Sequence, residues 1–413
     1  MVAPATNPAW MPFSVRDAVR VGTESGADLS SGKAWSDMLE SLARAADVVL
    51  SDRVPRNPVD TAAGFRHLLV LMHLAIDEVV RSGGAWLPAI KPANTDNAIK
   101  WGMDCPDCAY SGTGIRGDET YLISGNKGSA RYVGLQANAG MATTANVLLD
   151  EIDTEPNGDF TMTLSVERPS SGNWLPIAPD ASTLIIRQFF YDWDIEIPAT
   201  MRIERLSVPA ERSDSGQDRV SPDAAIARQL RAVGAFVEAN LDFFLAFANP
   251  EGPNRFNPPY DGTGMGAAAE NRPVIGAWKL APDEALLVEV TPPLGLYWGL
   301  SLGNVWWETI DYAEHLTSLN GHQAVIDDDG VFRAVIAHAD PGVANWLDTA
   351  GHSEGPMILR CVRTETAPVP STTVIPFDDL ASALPDTHPH VAPEKRARVI
   401  DARRRAVSRR FAR

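Results

Sequence analysis

The sequence predicts a mainly β (α+β) protein: two related tandem β-sandwich, jelly-roll-like units with N-terminal helices, a connecting helix and a C-terminal helix. Three observations carry this. Short strand-like runs separated by Gly, Pro, Asn and Asp fill most of the chain, the pattern of sandwiches and barrels. A segment recurs: "GDFTMTLSVERPSSGNWLPIAPDASTLIIRQF" lays over "GVFRAVIAHADPGVANWLDTAGHSEGPMILRCV". Finally, 413 residues at 45% hydrophobic composition provide for about two or three domains with a sizeable core.

The repeat pairs Phe160 with Phe332, Leu164 with Ile336, Pro169 with Pro341, and Asn173-Trp174-Leu175 with Asn345-Trp346-Leu347. One extra residue then brings Arg187 onto Arg360, and upstream Tyr132 of "YVGLQ" matches Tyr297 of "YWGLS". The chain divides accordingly into an N-terminal helical segment (1–84), a first β unit (85–200), a linker helix with a Gly/Pro-rich loop (201–280), a second β unit (281–375) and a basic tail helix (376–413).

Three helices are signalled by apolar spacing. The first carries Trp35, Met38, Leu39, Leu42, Ala46 and Val49. The second begins near Asp60, turns Phe65, Leu68, Leu69, Met72, Ile76 and Val79 inward, and stops at Gly83-Gly84; its His67 and His73 read as packing or surface residues. The third has Ser221 as N-cap and Pro222 as first helical residue, and runs through Ile226, Leu230, Val233, Val237, Leu241 and Phe244.

The body is acidic, with net charge −17, yet the end, "PEKRARVIDARRRAVSRRFAR", is basic. An acidic body repels phosphate, so nucleic acid is not an expected partner. Val399, Arg403, Val407 and Phe411 share a helical stripe, which predicts a tail helix docked on the acidic body of its own or a neighbouring subunit; contact with an anionic membrane surface is the alternative, and a homo-oligomer is compatible with either. The N-terminus has no secretory pattern, the apolar run "LLVLMHLAI" is far short of the roughly 20 residues of a membrane span, and cysteines are few; the expectation is a soluble, cytoplasmic protein.

"MDCPDCAY" offers Cys105 and Cys108 at the spacing of a zinc knuckle or a redox dithiol. The third cysteine, Cys361, sits in an apolar strand, and turn formers rather than a helix follow Cys108. A Pro-Asp turn capped by Asp104 or Asp107 is therefore the favoured reading.

The repeat also permits an internal comparison. On a strand alternate residues share a face, so His338 and Asp340 of the second unit stand where the first has Val166 and Arg168. An imidazole beside a carboxylate on an otherwise buried face predicts either a proton-handling pair or an internal bond that pins a loop.

"RGDETYLISGNKGSARYVGLQ", "GNWLPIAPDASTLIIRQFF", "NVWWETIDYAEHLTSLNGH" and "AHADPGVANWLDTAGHSEGPMILR" resemble the bacterial proteins called domain of unknown function 1214, often found with domain of unknown function 1254. The resemblance spans about residues 35 to 375 and implies tandem β-sandwiches, with no activity attached. It also implies that asparagines commonly stand where this chain has Cys105 and Cys108. Asparagine does not replace a thiolate, so Asp104, Pro106, Asp107 and Tyr110 become the preserved groups of that turn.

Strand alternation through "LYWGLSLGNVWWETIDYAEH" places Trp298, Asn304, Trp306 and Glu308 on one side, the composition of a small-molecule cavity wall, with Trp307 beside them. His315, Trp346 and His352 lie in neighbouring segments. No cofactor is expected: nucleotide-cradle and metal-helix motifs are missing, and a divalent metal at "HAD" is the lesser alternative.

The functional expectation is a cofactor-independent acid/base enzyme with Asp104, Asp107, His338 and Asp340 as catalytic groups. Tyr110, Trp298, Asn304, Trp306, Trp307, Glu308, His315, Trp346 and His352 would hold a small hydrophobic or sugar-like substrate between the units. Glycoside-type hydrolysis and protonation-initiated isomerisation or cyclisation both fit, and a non-catalytic lipid- or carbohydrate-binding protein is the alternative.

Overall fold

A computed structural model describes residues 26–80, 88–92, 97–140, 142–206, 222–247, 251–261, 263, 268 and 270–411. Turn residues cut the chain into short strands. The first unit comprises β1 (Lys91–Pro92), β2 (Cys108–Gly114), β3 (Tyr121–Asn126), β4 (Tyr132–Ala139), β5 (Ala142–Leu148), β6 (Asp159–Ser165), β7 (Asn173–Pro176), β8 (Thr183–Phe189) and β9 (Thr200–Arg205). The second comprises β10 (Arg255–Phe256), β11 (Val274–Lys279), β12 (Glu284–Val290), β13 (Gly295–Leu302), β14 (Ser318–Asn320), β15 (Phe332–Ala337), β16 (Trp346–Asp348), β17 (Glu354–Thr364) and β18 (Ser371–Pro376).

Each unit is a sandwich of a five-stranded and a four-stranded sheet. The orders are β1-β2-β8-β4-β5 and β7-β6-β3-β9, then β10-β11-β17-β13-β14 and β16-β15-β12-β18. Adding nine to every label of the first unit reproduces the second, so the duplication read from the sequence is complete at the level of topology. The register agrees as well: Gly134 pairs with Arg187 and Gly299 with Arg360. Each sandwich encloses its own apolar core, with Ile123, Leu135, Leu164 and Ile186 in one and Leu286, Leu300, Ile336 and Leu359 in the other.

The repeated Asn-Trp-Leu motif has a structural reason. The Asn173 amide donates to the carbonyls of Asp153 and Thr161, and that of Asn345 to Val325 and Arg333, tying a loop to the sheet in both units. Trp174 donates its indole N–H to the Ser165 carbonyl and Trp346 to that of Ala337, each at 3.1 Å, capping the end of the neighbouring strand.

The second unit begins earlier than the sequence suggested, because β10 and β11 lie in the stretch read as linker. β10 is a two-residue edge strand among turn formers, and so short a strand leaves no alternation to read.

The helices are α1 (Gly26–Ser30), α2 (Lys33–Val49), α3 (Pro58–Val80), α4 (Pro222–Ala246), α5 (Leu380–Ala383) and α6 (Pro393–Phe411). The predicted Gly83-Gly84 stop and Ser221 cap lie outside the described residues. Helices α2, α3 and α4 pack together through Met38, Val49, Leu71, Val237 and Leu241, and Trp306 of the second unit inserts into this cluster. The inward face of α3 is only in part the predicted one: Leu68 is buried and Met72 and Val79 pack against the core, but Phe65, Leu69 and Ile76 are exposed, and Asp60 and His67 are buried along with Leu71 and Leu74. Among the described residues α3 is also the one helix long and apolar enough to cross a membrane by length and composition (Pro58–Val79, mean hydropathy 1.3). Its inner face, however, is bonded to the second unit.

The basic tail helix α6 docks on the chain's own acidic body. Arg396 pairs with Asp340, Arg404 with Glu314 and Arg409 with Asp194. Arg403 is buried, and burial pushes its guanidinium down to about 10 although Asp107 opposes the shift.

The two units meet across a seam with internal two-fold character. The Phe190 N–H donates to the Asp107 carbonyl and, at the corresponding place, the Arg363 N–H donates to that of Glu270. Each of these acids reaches into the other unit: Asp107 accepts from Tyr297 and Asn320, while Glu270 accepts from Asn146. Tyr132, Phe189 and Tyr297 pack between them, with ring centroids 5.4 and 4.8 Å apart.

Candidate functional site

The predicted site residues separate into two buried groups and several outliers. Strand alternation fails after Leu302, where β13 ends. The Asn304 side-chain carbonyl accepts the N–H groups of Trp306 (3.0 Å) and Glu308 (3.3 Å), and its own N–H donates to the Glu308 carbonyl, closing a tight loop. Trp307 lies in this loop with φ of 60°, and the Met103 N–H donates to its carbonyl from a second left-handed residue, φ 54°. Two non-glycine residues in this sparsely populated region thus clasp each other next to Asp104 and Glu308; such strain collects at functional sites.

Around the clasp four ionisable side chains are buried together. The Glu308 carboxylate lies 2.9 Å from Nδ1 of His67 and accepts from the Asn304 amide at 3.1 Å. Burial raises its pKa, but the charge and bond of His67, the Asn304 bond and the charge of Arg66 outweigh that and hold the carboxyl below its ordinary value. Asp104 accepts from the Thr309 hydroxyl at 3.0 Å. There burial wins over Lys100, Thr309 and Arg360, and the Asp104 carboxyl is pushed up to about 6. Burial also lowers the Lys100 pKa against the pull of Asp104, Asp311 and Glu308, and the ammonium sits 4.4 Å above the Tyr312 ring. Opposed shifts in neighbouring groups bring the titration ranges of an acid and a base closer together.

His352 joins through α3. Its Nδ1 is 2.6 Å from Asp60, whose backbone carbonyl accepts the Trp306 indole N–H at 2.9 Å. Burial raises the Asp60 pKa, and bonds from His352, Asn57 and Ser353 overcome this and lower it. Asp104, Asn304, Trp306, Trp307, Glu308 and His352 are therefore gathered where α3 meets the second unit, with Trp306 filling core volume as well.

Asp107 is separate, in the seam. Its carboxylate accepts from the Trp193 indole, the Asn320 amide and the Tyr297 hydroxyl, each at 2.7 Å. Among the described residues no hydrogen-bond partner is shared with Asp104, so the two acids of the turn serve different networks. Tyr110 accepts the Cys105 N–H at 3.2 Å and steadies the turn.

The expected His338–Asp340 pair is not formed. β15 ends at Ala337, and alternation ends with it. His338 bonds the Thr349 hydroxyl at 2.7 Å and faces the Leu280 carbonyl at 3.3 Å, whereas Asp340 is exposed and held by Arg396 and by the Gly342 N–H. Both residues follow the end of β15, and none of these partners belongs to the turn at 104–110, so the geometry does not support the catalytic role expected of them. Trp298 is likewise core rather than cavity wall, edge-on to Phe332 at 5.1 Å. Trp346 is the strand cap described above, and His315 pairs with Asp348 at 2.8 Å in a half-exposed position.

Cys105, Cys108 and Cys361 are free and buried. Burial pushes the Cys105 thiol up to about 11 and the Cys108 thiol higher still, which keeps both protonated. Among the described residues no group of three or more His, Cys, Asp or Glu is placed to hold a metal.

Sequence reasoning missed His67, Lys100 and Asp60. Asp60 marks only the start of α3 in the sequence, His67 reads there as a packing or surface residue, and a lone lysine in "NAIKWGMD" carries no pattern.

No protein-family model matches the chain, nor does any curated protein. Among solved structures it is similar to an uncharacterized protein from Burkholderia cenocepacia, at 29% identity and TM-score 0.75 over 87% of this chain and 100% of that one. That similarity extends over both sandwiches and supports the fold. The VPA0106 protein from Vibrio parahaemolyticus follows at 11% identity and TM-score 0.44, covering 75% and 98% of the two chains. A salicylate 1,2-dioxygenase from Pseudaminobacter salicylatoxidans follows at 13% and 0.19, covering 76% and 83%. The last two superpose too loosely to inform function.

Proposed function

We propose that the chain is a cofactor-independent acid/base enzyme whose proton-handling centre is the Asp104–Lys100–Glu308–His67 cluster beneath α3, working in the cytoplasm on a small hydrophobic or sugar-like molecule. The observation that carries this reading is the burial of Asp104 beside Lys100, a burial that pushes the Asp104 carboxyl up to about 6. Four ionisable groups buried together cost stability that an apolar core would not, and the clasp of Met103 and Trp307 adds strain in the same place.

Protonated Asp104 is the acid of this reading, and Lys100, which loses its proton more readily than an exposed lysine, is the base. Glu308 and His67 orient the loop. Trp306 and Trp307 supply aromatic faces, suited to a sugar ring or to developing positive charge. The centre is closed, so the reading requires α3 to lift from the 304–309 loop when substrate enters. We also place the chain with proteins like domain of unknown function 1214, a reading supported by the order of the quoted motifs and by the duplicated sandwich.

The test is a mass-spectrometric screen of small glycosides and polyene hydrocarbons against the wild type, Asp104→Asn and Lys100→Met. Conversion by the wild type that is lost in both variants, with melting behaviour retained, supports the reading. A compound converted equally by Asp104→Asn rejects it.

A further inference from the structure

The two-fold character of the seam makes a difference between its two ends informative. At the Asp107 end the α6 helix fills the groove: the Arg410 guanidinium lies 4.8 Å from the Phe190 ring centroid and 4.5 Å from that of Trp193, with Arg403 4.5 Å from Trp193. An acid and aromatic rings there receive cationic guests from the chain itself. At the opposite end the wall carries the other polarity. The residue in the place of Phe190 is Arg363, and the groove is open as a cavity of about 360 Å³ lined by Arg131, Tyr132, Val133, Leu148, Leu296 and Arg363, together with Gly295 and the acid Asp150.

The two arginines come from different units and reach across the seam in opposite directions. Arg131 of the first unit donates Nε to the Leu296 carbonyl at 2.8 Å and lies over the Tyr191 ring at 5.2 Å. Arg363 of the second unit meets Glu151 of the first at 2.7 Å, an exposed pair. Exposed pairs contribute little to stability, so this one opposes a competing anion only weakly. Arg363 is itself held in the left-handed region, φ 49°, against Gly295, where a Cβ would come within 2.4 Å of the Arg363 carbonyl. The backbone therefore fixes where this arginine starts. Of the nearby acids, Asp150 is taken by Lys127, and Glu196 by the N–H groups of Arg131, Tyr191 and Asp192.

We propose that this recess is a binding site for a small organic carboxylate with an apolar body. The carboxylate bridges Arg131 and Arg363, displacing Glu151, and the apolar body lies on Val133, Leu148, Leu296 and the Tyr132 ring. Two guanidinium groups over an apolar floor select against both a neutral hydrocarbon, which leaves the guanidinium groups without an anion, and a bare inorganic anion, which gains nothing from the floor.

The site is independent of the acid/base reading, because none of its residues belongs to the Asp104 cluster. The test is isothermal titration of the full chain at low salt with benzoate, and with inorganic phosphate as the anion lacking an apolar body. Saturable benzoate binding is expected, weakened about tenfold or more in Arg131→Gln/Arg363→Gln. Glu151→Gln, which frees Arg363, is expected to tighten it, and Asp104→Asn to leave it unchanged. Absence of saturable benzoate binding, equal binding by the double variant, no tightening in Glu151→Gln, or phosphate bound as well as benzoate each overturns the proposal. A change in Asp104→Asn would remove the independence of the two sites and with it the proposal as stated.

Discussion

Replacing Asp104 by Asn removes a buried ionisable group while keeping its shape and its bond from the Thr309 hydroxyl. The carboxyl is pushed from its ordinary 3.8 to about 6 by burial, so between these values the folded chain holds a proton that the unfolded chain has released. Stability consequently falls as pH rises through this window. At about 1.4 kcal/mol per unit, the charged form costs the fold about 3 kcal/mol above pH 6. Coupling to Lys100 lets part of this appear on the lysine, so about 2–3 kcal/mol is the expected gain on substitution. In urea unfolding, Asp104→Asn and the wild type should be nearly equal at pH 4, and the variant should become the more stable as pH rises to 7. A gap that does not change with pH, or a variant less stable at pH 7, would refute the argument from burial.

Glu308→Gln removes one partner of a buried pair with His67 and should cost about 3–5 kcal/mol in chemical denaturation near neutral pH. Because the Glu308 pKa is lowered by folding, its contribution is present above the ordinary glutamate range and should fade in the wild type as pH falls through the folded value. Asp107→Asn places an amide among three donors, Tyr297, Trp193 and Asn320, and should lower stability by about 1–3 kcal/mol, splitting one calorimetric transition toward two as the seam loosens. The Cys105 and Cys108 thiols should react with a disulfide reagent only at the rate of opening, and reaction with the native protein within seconds would contradict their burial. The outer contacts of α6 run through exposed pairs such as Arg404–Glu314 and Arg409–Asp194, so amide exchange in 393–411 should quicken with salt while the sandwiches stay protected.

The duplication was legible because its markers are side chains that bond backbone. Asn173 and Asn345 tie a loop, and Trp174 and Trp346 cap a strand; neither task tolerates many residue types, so the letters persist where the rest has drifted. Strands β10 and β11 of the second unit carry no such markers, so they fall in the segment that the sequence assigns to the linker. Periodicity places Leu68, Met72 and Val79 of α3 correctly but not Phe65, Leu69 and Ile76, because it assumes that apolar residues face inward, whereas this helix buries Asp60 and His67 against partners about 240 to 290 residues away.

The site was legible only in part, for a related reason. Asn304, Trp306 and Glu308 do converge, but through a side-chain-closed loop rather than the strand alternation that suggested them. His338 and Asp340 were placed on one face by extending a strand past its last residue, Ala337. Asp340 went instead to Arg396, on a helix more than fifty residues downstream that no local pattern connects to it.

The account rests on Asp104 being a buried acid that holds its proton near neutrality, and carbon-13 NMR titration of the aspartate carboxyl carbons in the folded chain reads this directly. One aspartate signal, absent from Asp104→Asn, should titrate near pH 6. If the signal lost in that variant instead titrates near 4, as an ordinary carboxylate does, the cluster holds no acid and the proposed chemistry fails with it.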